Sequence, residues 1–161
     1  MARANRFIAG AQTDHAEVDH GAGSPSGHRF LAHTADTAFE AWGPTRATCY
    51  AEAVRALVAS FAEVSHAELV DRRLADLGPA SDEDLLVDLL EEVIYLLDTR
   101  GLVPVRVRLR DTEDGGLRGQ LDLASVTSVR PSGAVPKAVT YHALQVGAGA
   151  AGWRCRVTVD V

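Results

Sequence analysis

Two stretches of the chain carry apolar residues at helical spacing, and several others alternate apolar and polar residues at strand spacing. Tyr50, Ala53, Val54, Leu57, Val58 and Phe61 form one stripe. It predicts a helix opening at Thr45, just after the stop signal Gly43-Pro44. Leu85, Leu86, Leu89, Leu90, Val93, Leu96 and Leu97 form a wider stripe. Ser81 before it is an N-cap, with Asp84 three residues on as a short capping box, and Asp82, Glu83 and Asp84 complement the positive end of the helix dipole. Arg100 and Gly101 supply its basic last turn and its stop. Alternation predicts strands over 37–42, 103–110, 117–123, 137–146 and 153–161, and a weaker, edge-like strand within 64–77. Asp114-Gly115-Gly116, the segment around Pro131-Ser132-Gly133 and the Gly/Ala run 147–152 read as turns and loops. Val103, Val105, Val107 and Leu109 are expected on one buried face of their strand, with Arg106, Arg108 and Arg110 on a wet one. The order of elements predicts an α+β fold: two helices packed on a largely antiparallel β-sheet in a single two-layer domain.

Composition narrows the class. A chain of 161 residues with 47% hydrophobic and 24% charged residues can bury a real core. No apolar run approaches the roughly 20 residues of a membrane span, and no secretory signal opens the chain, so a cytoplasmic protein with no membrane partner is expected. Sixteen basic against 22 acidic residues leave a net charge of −6, which argues against bulk attraction to phosphate backbones. RNA is therefore expected to be met only through a protein partner. Residues 1–27 lack periodicity and end in Gly21-Ala22-Gly23-Ser24-Pro25-Ser26-Gly27, which predicts a disordered tail ahead of a domain over 28–161. His15, His20 and His28 are expected to be solvated. Cys49 and Cys155 read as small buried residues, since no C-x-x-C or Cys/His cluster supports zinc.

Three short segments could carry chemistry. The chain runs to its last residue as a strand and stops on Asp160-Val161. That sets a side-chain carboxylate beside the α-carboxylate, a pair of hard oxygen donors that repel unless a cation or basic group joins them. His33-Thr34-Ala35-Asp36 stands where the domain enters its first strand, with residue types suited to metal ligation or acid–base work but equally to a turn. Lys137-Ala138-Val139-Thr140-Tyr141-His142 opens the penultimate strand; spacing puts Lys137, Val139 and Tyr141 on one face and Thr140 and His142 on the other. Nucleotide-binding glycine loops, H-E-x-x-H and G-x-S-x-G are absent. Arg106, Arg108, Arg110, Arg154 and Arg156 would form one basic strip if their strands pair. Asp88, Glu91, Glu92 and Asp98 read mostly as the wet face of the second helix.

The three segments, with Leu85-Leu86-Val87-Asp88 and Leu96-Leu97-Asp98-Thr99 on the second helix, resemble in order and spacing the archease family over residues 28–161. The resemblance implies a small metal-binding accessory protein, not itself an enzyme. It would activate a GTP-dependent RNA ligase of tRNA splicing or RNA repair, promoting guanylylation of the ligase and multiple turnover. It implies Asp36, Asp160 and the main-chain carboxylate of Val161 as ligands of a divalent metal, calcium by family habit, with magnesium or manganese as alternatives. Lys137 and Asp36 would serve activation, and His33 and His142 would support the ligands from behind. Thr37, Ala38, Leu89, Glu91-Glu92 and Gln120 depart from the family pattern. Two other readings of the residues remain open: a free-standing metal-dependent phosphohydrolase built on Asp36, His33, His142 and Asp160, and an interaction module or chaperone with a structural metal.

Overall fold

The computed structural model describes residues 25–32 and 36–161. Residues 1–24 of the expected tail 1–27, with His15 and His20, and the residues His33, Thr34 and Ala35 lie outside it, and Gly27 already begins the first strand. The chain runs β1 (Gly27–Leu31), β2 (Thr37–Gly43), α1 (Arg46–Ala59), β3 (Ala62–Glu63), β4 (Leu69–Leu77), α2 (Asp82–Arg100), β5 (Leu102–Asp111), β6 (Leu117–Ser125), a 3-10 turn (Val126–Ser128), β7 (Arg130–Pro131), β8 (Ala138–Gly149) and β9 (Gly152–Asp160). All strand pairs are antiparallel. The α+β class holds, but the strands divide between a four-stranded sheet ordered β1-β2-β9-β8 and a three-stranded sheet ordered β4-β6-β5, with β3 and β7 as a small pair.

Both helices form where their caps and stripes predict. Thr45 accepts from the Thr48 amide and closes a reciprocal capping box, which starts α1. Ser81 accepts from the Asp84 amide at 3.1 Å. The return half of the α2 box is missing because Asp84 Oδ1 instead accepts from the Tyr141 hydroxyl, at 2.7 Å. Gly101 ends α2 in the left-handed region at φ 60°, where a side chain would be strained. One continuous core joins α1, α2 and the inner faces of both sheets, with Phe39, Tyr50, Leu57, Leu86, Leu89, Leu121 and Val157 closed to solvent. Cys49 and Cys155 are free and buried as expected. The Cys155 sulfur and burial push the Cys49 thiol far above its ordinary value, which removes its nucleophilic and metal-binding character.

Buried charge ties the layers together. The Arg46 side chain, 11% exposed at the start of α1, reaches Asp82 at 2.8 Å and Asp111 at 2.9 Å. Glu52 on α1 holds His28 of β1 at 3.1 Å and Arg55 at 2.7 Å. His28 is thus a partner in a half-buried network and not the solvated residue expected. Arg55 in turn donates to the Val107 carbonyl of the other sheet at 2.8 Å. Burial pushes the Glu52 carboxyl up, but His28 and Arg55 outweigh it and hold the group below its ordinary value. A carboxylate with a depressed folded-state pKa adds stability above its unfolded pKa and loses it as pH falls through the folded value. Glu52→Gln is therefore expected to lower stability by about 2 kcal/mol at neutral pH. The gap between variant and parent should close as pH falls below the ordinary carboxylate range. Thermal melts at stepped pH read this directly, and a gap of constant size would refute it.

Two irregularities redirect side chains. β5 shifts register between Pro104 and Arg106. The bulge at Val105 turns Val103 to the face shared by Arg106, where it joins Phe61, Ala62, Ala124 and Val129 in a second apolar cluster. The expectation that Val103, Val105, Val107 and Leu109 share one face fails for this reason. β8 shifts register between Thr140 and Gln145, with Ala143 at φ 57°. The bulged residues 141–144 leave the simple alternation that put Tyr141 on the face of Val139.

Candidate functional site at the end of strand β9

β9 is a central strand with β2 on one side and β8 on the other. Its apolar face, carrying Cys155, Val157 and Val159, is buried against the helices, and this pins its register. Asp160 is exposed at its end, as alternation predicts. On the β2 side Thr37 pairs with Val159. Asp36 stands just before that pair, in a bend ahead of β2, so its segment reaches the same end of β9 as Asp160. On the β8 side Ala138 pairs with Asp160, and the Lys137 amide donates to the Asp160 carbonyl at 2.8 Å. Three segments far apart in sequence therefore meet at one strand end: Asp36, Lys137 and Asp160-Val161. Lys137, the chain's one lysine, is exposed.

Asp36 also lines a cleft with Phe30, Leu31, Thr37, Ala59 and Ser60; Asp160, Val161 and Lys137 are not part of its lining. Ala59 closes α1, so the negative end of that helix dipole faces the cleft, a setting that favours cations. The donors at this end are oxygens, suited to a hard divalent cation and poorly to zinc. Among the described residues, no group of three His, Cys, Asp or Glu side chains is placed to hold a metal. Asp36 and Asp160 are the side-chain carboxylates nearest this end in sequence register, and a further donor would have to come from the main chain or from outside the described residues, where His33 lies. His142 sits in the β8 bulge, exposed, with its amide on Thr140 Oγ1 at 3.0 Å.

Sequence reasoning missed the groups that brace Lys137. Glu91, expected on the wet face of α2, is half-buried, and its carboxylate accepts from the Val139 amide at 2.7 Å. That amide is on the open edge of the sheet, so Glu91 occupies an edge donor that would otherwise lack a partner. The Tyr141–Asp84 bond adds a second tie from α2 to β8. Asp84, Asp88 and Glu91 recur at helical spacing on one side of α2, and this was the available signal that the side meets another element. Of the departures from the family pattern, Leu89 is closed to solvent in the core and Ala38 is 2% exposed. Neither alters an exposed surface.

The expected single arginine strip does not form. β5 and β9 lie in different sheets, so Arg106, Arg108 and Arg110 stand apart from Arg154 and Arg156.

Residues 28–161 match the Archease protein family (MTH1598/TM1083). A protein of Mycobacterium tuberculosis (strain CDC 1551 / Oshkosh), named probable protein archease, is 49% identical over 139 residues, covering 86% of this chain and 77% of the relative. The archease of Methanosarcina barkeri is 31% identical over 143 residues, covering 83% and 95%. In fold, the chain is similar to the solution structure of Methanobacterium thermoautotrophicum protein 1598, with a TM-score of 0.68 at 23% identity over 84% of this chain and 99% of that one. It is also similar to the crystal structure of a Thermotoga maritima archease, described there as a possible chaperone, with a TM-score of 0.59 at 22% identity over 81% and 94%. The length of the match and the level of identity lead to one conclusion: the chain belongs to the archease family.

Proposed function

We propose that this protein is an accessory activator of a GTP-dependent RNA ligase, acting through the end of β9. The observation that carries the reading is that β2 and β8 flank the end of β9, with Asp36 just ahead of the Thr37–Val159 pair on one side and the Lys137 amide on the Asp160 carbonyl on the other. Asp36 and Asp160, with the main-chain carboxylate of Val161, would hold a divalent cation such as calcium, magnesium or manganese. When bound, the metal would supply neutralisation of charge developing on transferring phosphates. The chain's own part is positional. The strand end presents its carboxylates without a flexible arm, and Lys137 offers a cation to a phosphate or to a ligase carboxylate. Glu91 and Asp84 hold β8 against α2 so that Lys137 keeps its place.

The test is guanylylation of the cognate ligase with labelled GTP and divalent metal, with and without substoichiometric amounts of this protein. Faster guanylylation and several ligations per ligase are expected, and Lys137→Ala should abolish both while melting as the parent does. Full stimulation by Lys137→Ala would sink the assignment. A phosphohydrolase built on His33, Asp36, His142 and Asp160 would instead turn over phosphate esters without any ligase and lose that turnover in Asp36→Ala. The chaperone reading, suggested by the name of the Thermotoga relative, predicts instead that chelation lowers the melting temperature and that Lys137 is dispensable.

A further inference from the structure

The outer face of the β4-β6-β5 sheet concentrates positive charge in an acidic protein. Across it, Arg72, Asp122 and Arg106 stand in one row, and Asp76, Arg118 and Arg110 in another, with Arg108 opposite Gln120 between them. Asp122, 4% exposed, takes Arg72 Nε at 3.1 Å and Gln120 Nε2 at 2.8 Å, with Arg108 Nη2 3.7 Å away. Arg118 pairs with Asp76 at 3.2 Å. Arg106 and Arg110 form no ion pair among the described residues, although both are exposed. Asp122 Oδ2 and Arg108 Nε are buried without hydrogen-bond partners. Arg110 also stands directly opposite Arg118, a like-charge cross-strand pair that weakens the sheet in isolation. The face therefore holds five guanidiniums against two carboxylates and keeps an arrangement that a bound polyanion would relieve. On the other sheet Glu40 takes both Arg29, at 2.6 Å, and Arg154, at 3.4 Å, and Arg156 opposite it is a single exposed arginine without an ion pair among the described residues.

We propose that this face binds the phosphodiester backbone of RNA. A protein partner would draw its affinity from apolar or aromatic anchors at the centre of the patch. Here the centre is Gln120 and Asp122 with one half-buried aliphatic neighbour, Leu74, and β4, β5 and β6 contain no aromatic residue. A phosphate backbone needs no such anchor, and the planar forks of arginine suit it. Without aromatic platforms for base stacking, recognition is blind to sequence. The choice of RNA among polyanions rests on the function proposed above, because RNA is what the ligase brings. The surface is on a different sheet from Asp36, Lys137 and Asp160, so it would grip the strand while the β9 end engages the ligase. It also revises the expectation, drawn from net charge, that RNA is met only through the partner. Net charge averages over a surface whose charges the fold separates.

The experiment is a fluorescence-anisotropy titration of labelled oligouridylate with the full chain and no ligase, at stepped potassium chloride. Binding is expected with log affinity falling against log salt at a slope of about −2, for the roughly three unbalanced charges of the face on a single strand. Arg106→Gln/Arg110→Gln should bind about tenfold more weakly, with a slope shallower by about 1.4. Relief of the Arg110–Arg118 repulsion should leave its melting temperature at or above that of the parent. Arg156→Gln on the other sheet and Asp36→Ala should bind RNA as the parent does, so loss of RNA binding and loss of ligase stimulation are read separately. Absence of salt-dependent binding, or binding unaltered in the double variant, would overturn the proposal. So would a face that ignores RNA and takes polyglutamate, which would mark it as a site for an acidic protein.

Discussion

Asp36→Ala and Asp160→Ala are each expected to lose at least about 100-fold in divalent-cation affinity, above the 10–100-fold typical of a group that only supports a ligand. Stimulation of the ligase should fall to background with it. Two carboxylates at one strand end favour a bound cation between them. Asp160 is exposed there, so Asp160→Ala should leave the metal-free fold within about 0.5 kcal/mol of the parent. This separates the prediction from ordinary destabilisation. Equilibrium dialysis against calcium and against magnesium, with melts in chelator, gives both readouts. A variant with parental affinity would show that the strand end is not the metal site. One residue added after Val161 should also weaken binding, by displacing the α-carboxylate.

Gly119→Ala is expected to destabilise the fold by about 3 kcal/mol or more. A Cβ at Gly119 would stand 1.9 Å from the Arg108 carbonyl oxygen and 2.8 Å from Leu109 Cδ2. Gly119 is on β6, the central strand of its sheet, so neither β4 nor β5 can be displaced without breaking a ladder. For a chain of this size the melting temperature should drop by roughly 6–12 °C. Gly147 is the control, since nothing lies within 4 Å of a Cβ built there. Gly147→Ala should fall within about 0.5 kcal/mol of the parent. Urea midpoints measure both, and equal midpoints would contradict the spacing of β5 and β6.

The two helices, their caps and the burial of alternate residues in β9 were legible in the sequence. Each depends on local spacing, and the apolar period reports directly which face meets the core. The exposure of Asp160 followed from the same alternation. Asp36 and Lys137 were named as candidates through their segments, but their meeting at Asp160 needed the β2-β9-β8 register. The β2–β9 register joins residues more than a hundred positions apart, as Thr37 and Val159, and the nearer β8–β9 register depends on the bulge over 141–144; no local pattern encodes either. Glu91 was misread because a half-buried carboxylate on an edge amide has the same periodicity as one in water.

The sequence by itself determined the two helices with their starts and stops, the approximate place of the longer strands, and which side chains leave the core at the end of β9, but not β1, β3 or β7. Only the tertiary structure decided how strands share sheets, and with it where charge collects. One bulge at Val105 and one over residues 141–144 shift side chains between faces without any change in hydrophobic period. β5 pairs with β6 and not with β9, so arginines that look continuous in sequence are split between two surfaces. Local periodicity records the burial of a residue, whereas partner choice and register arise from the hydrogen-bond ladders and core packing of the whole chain.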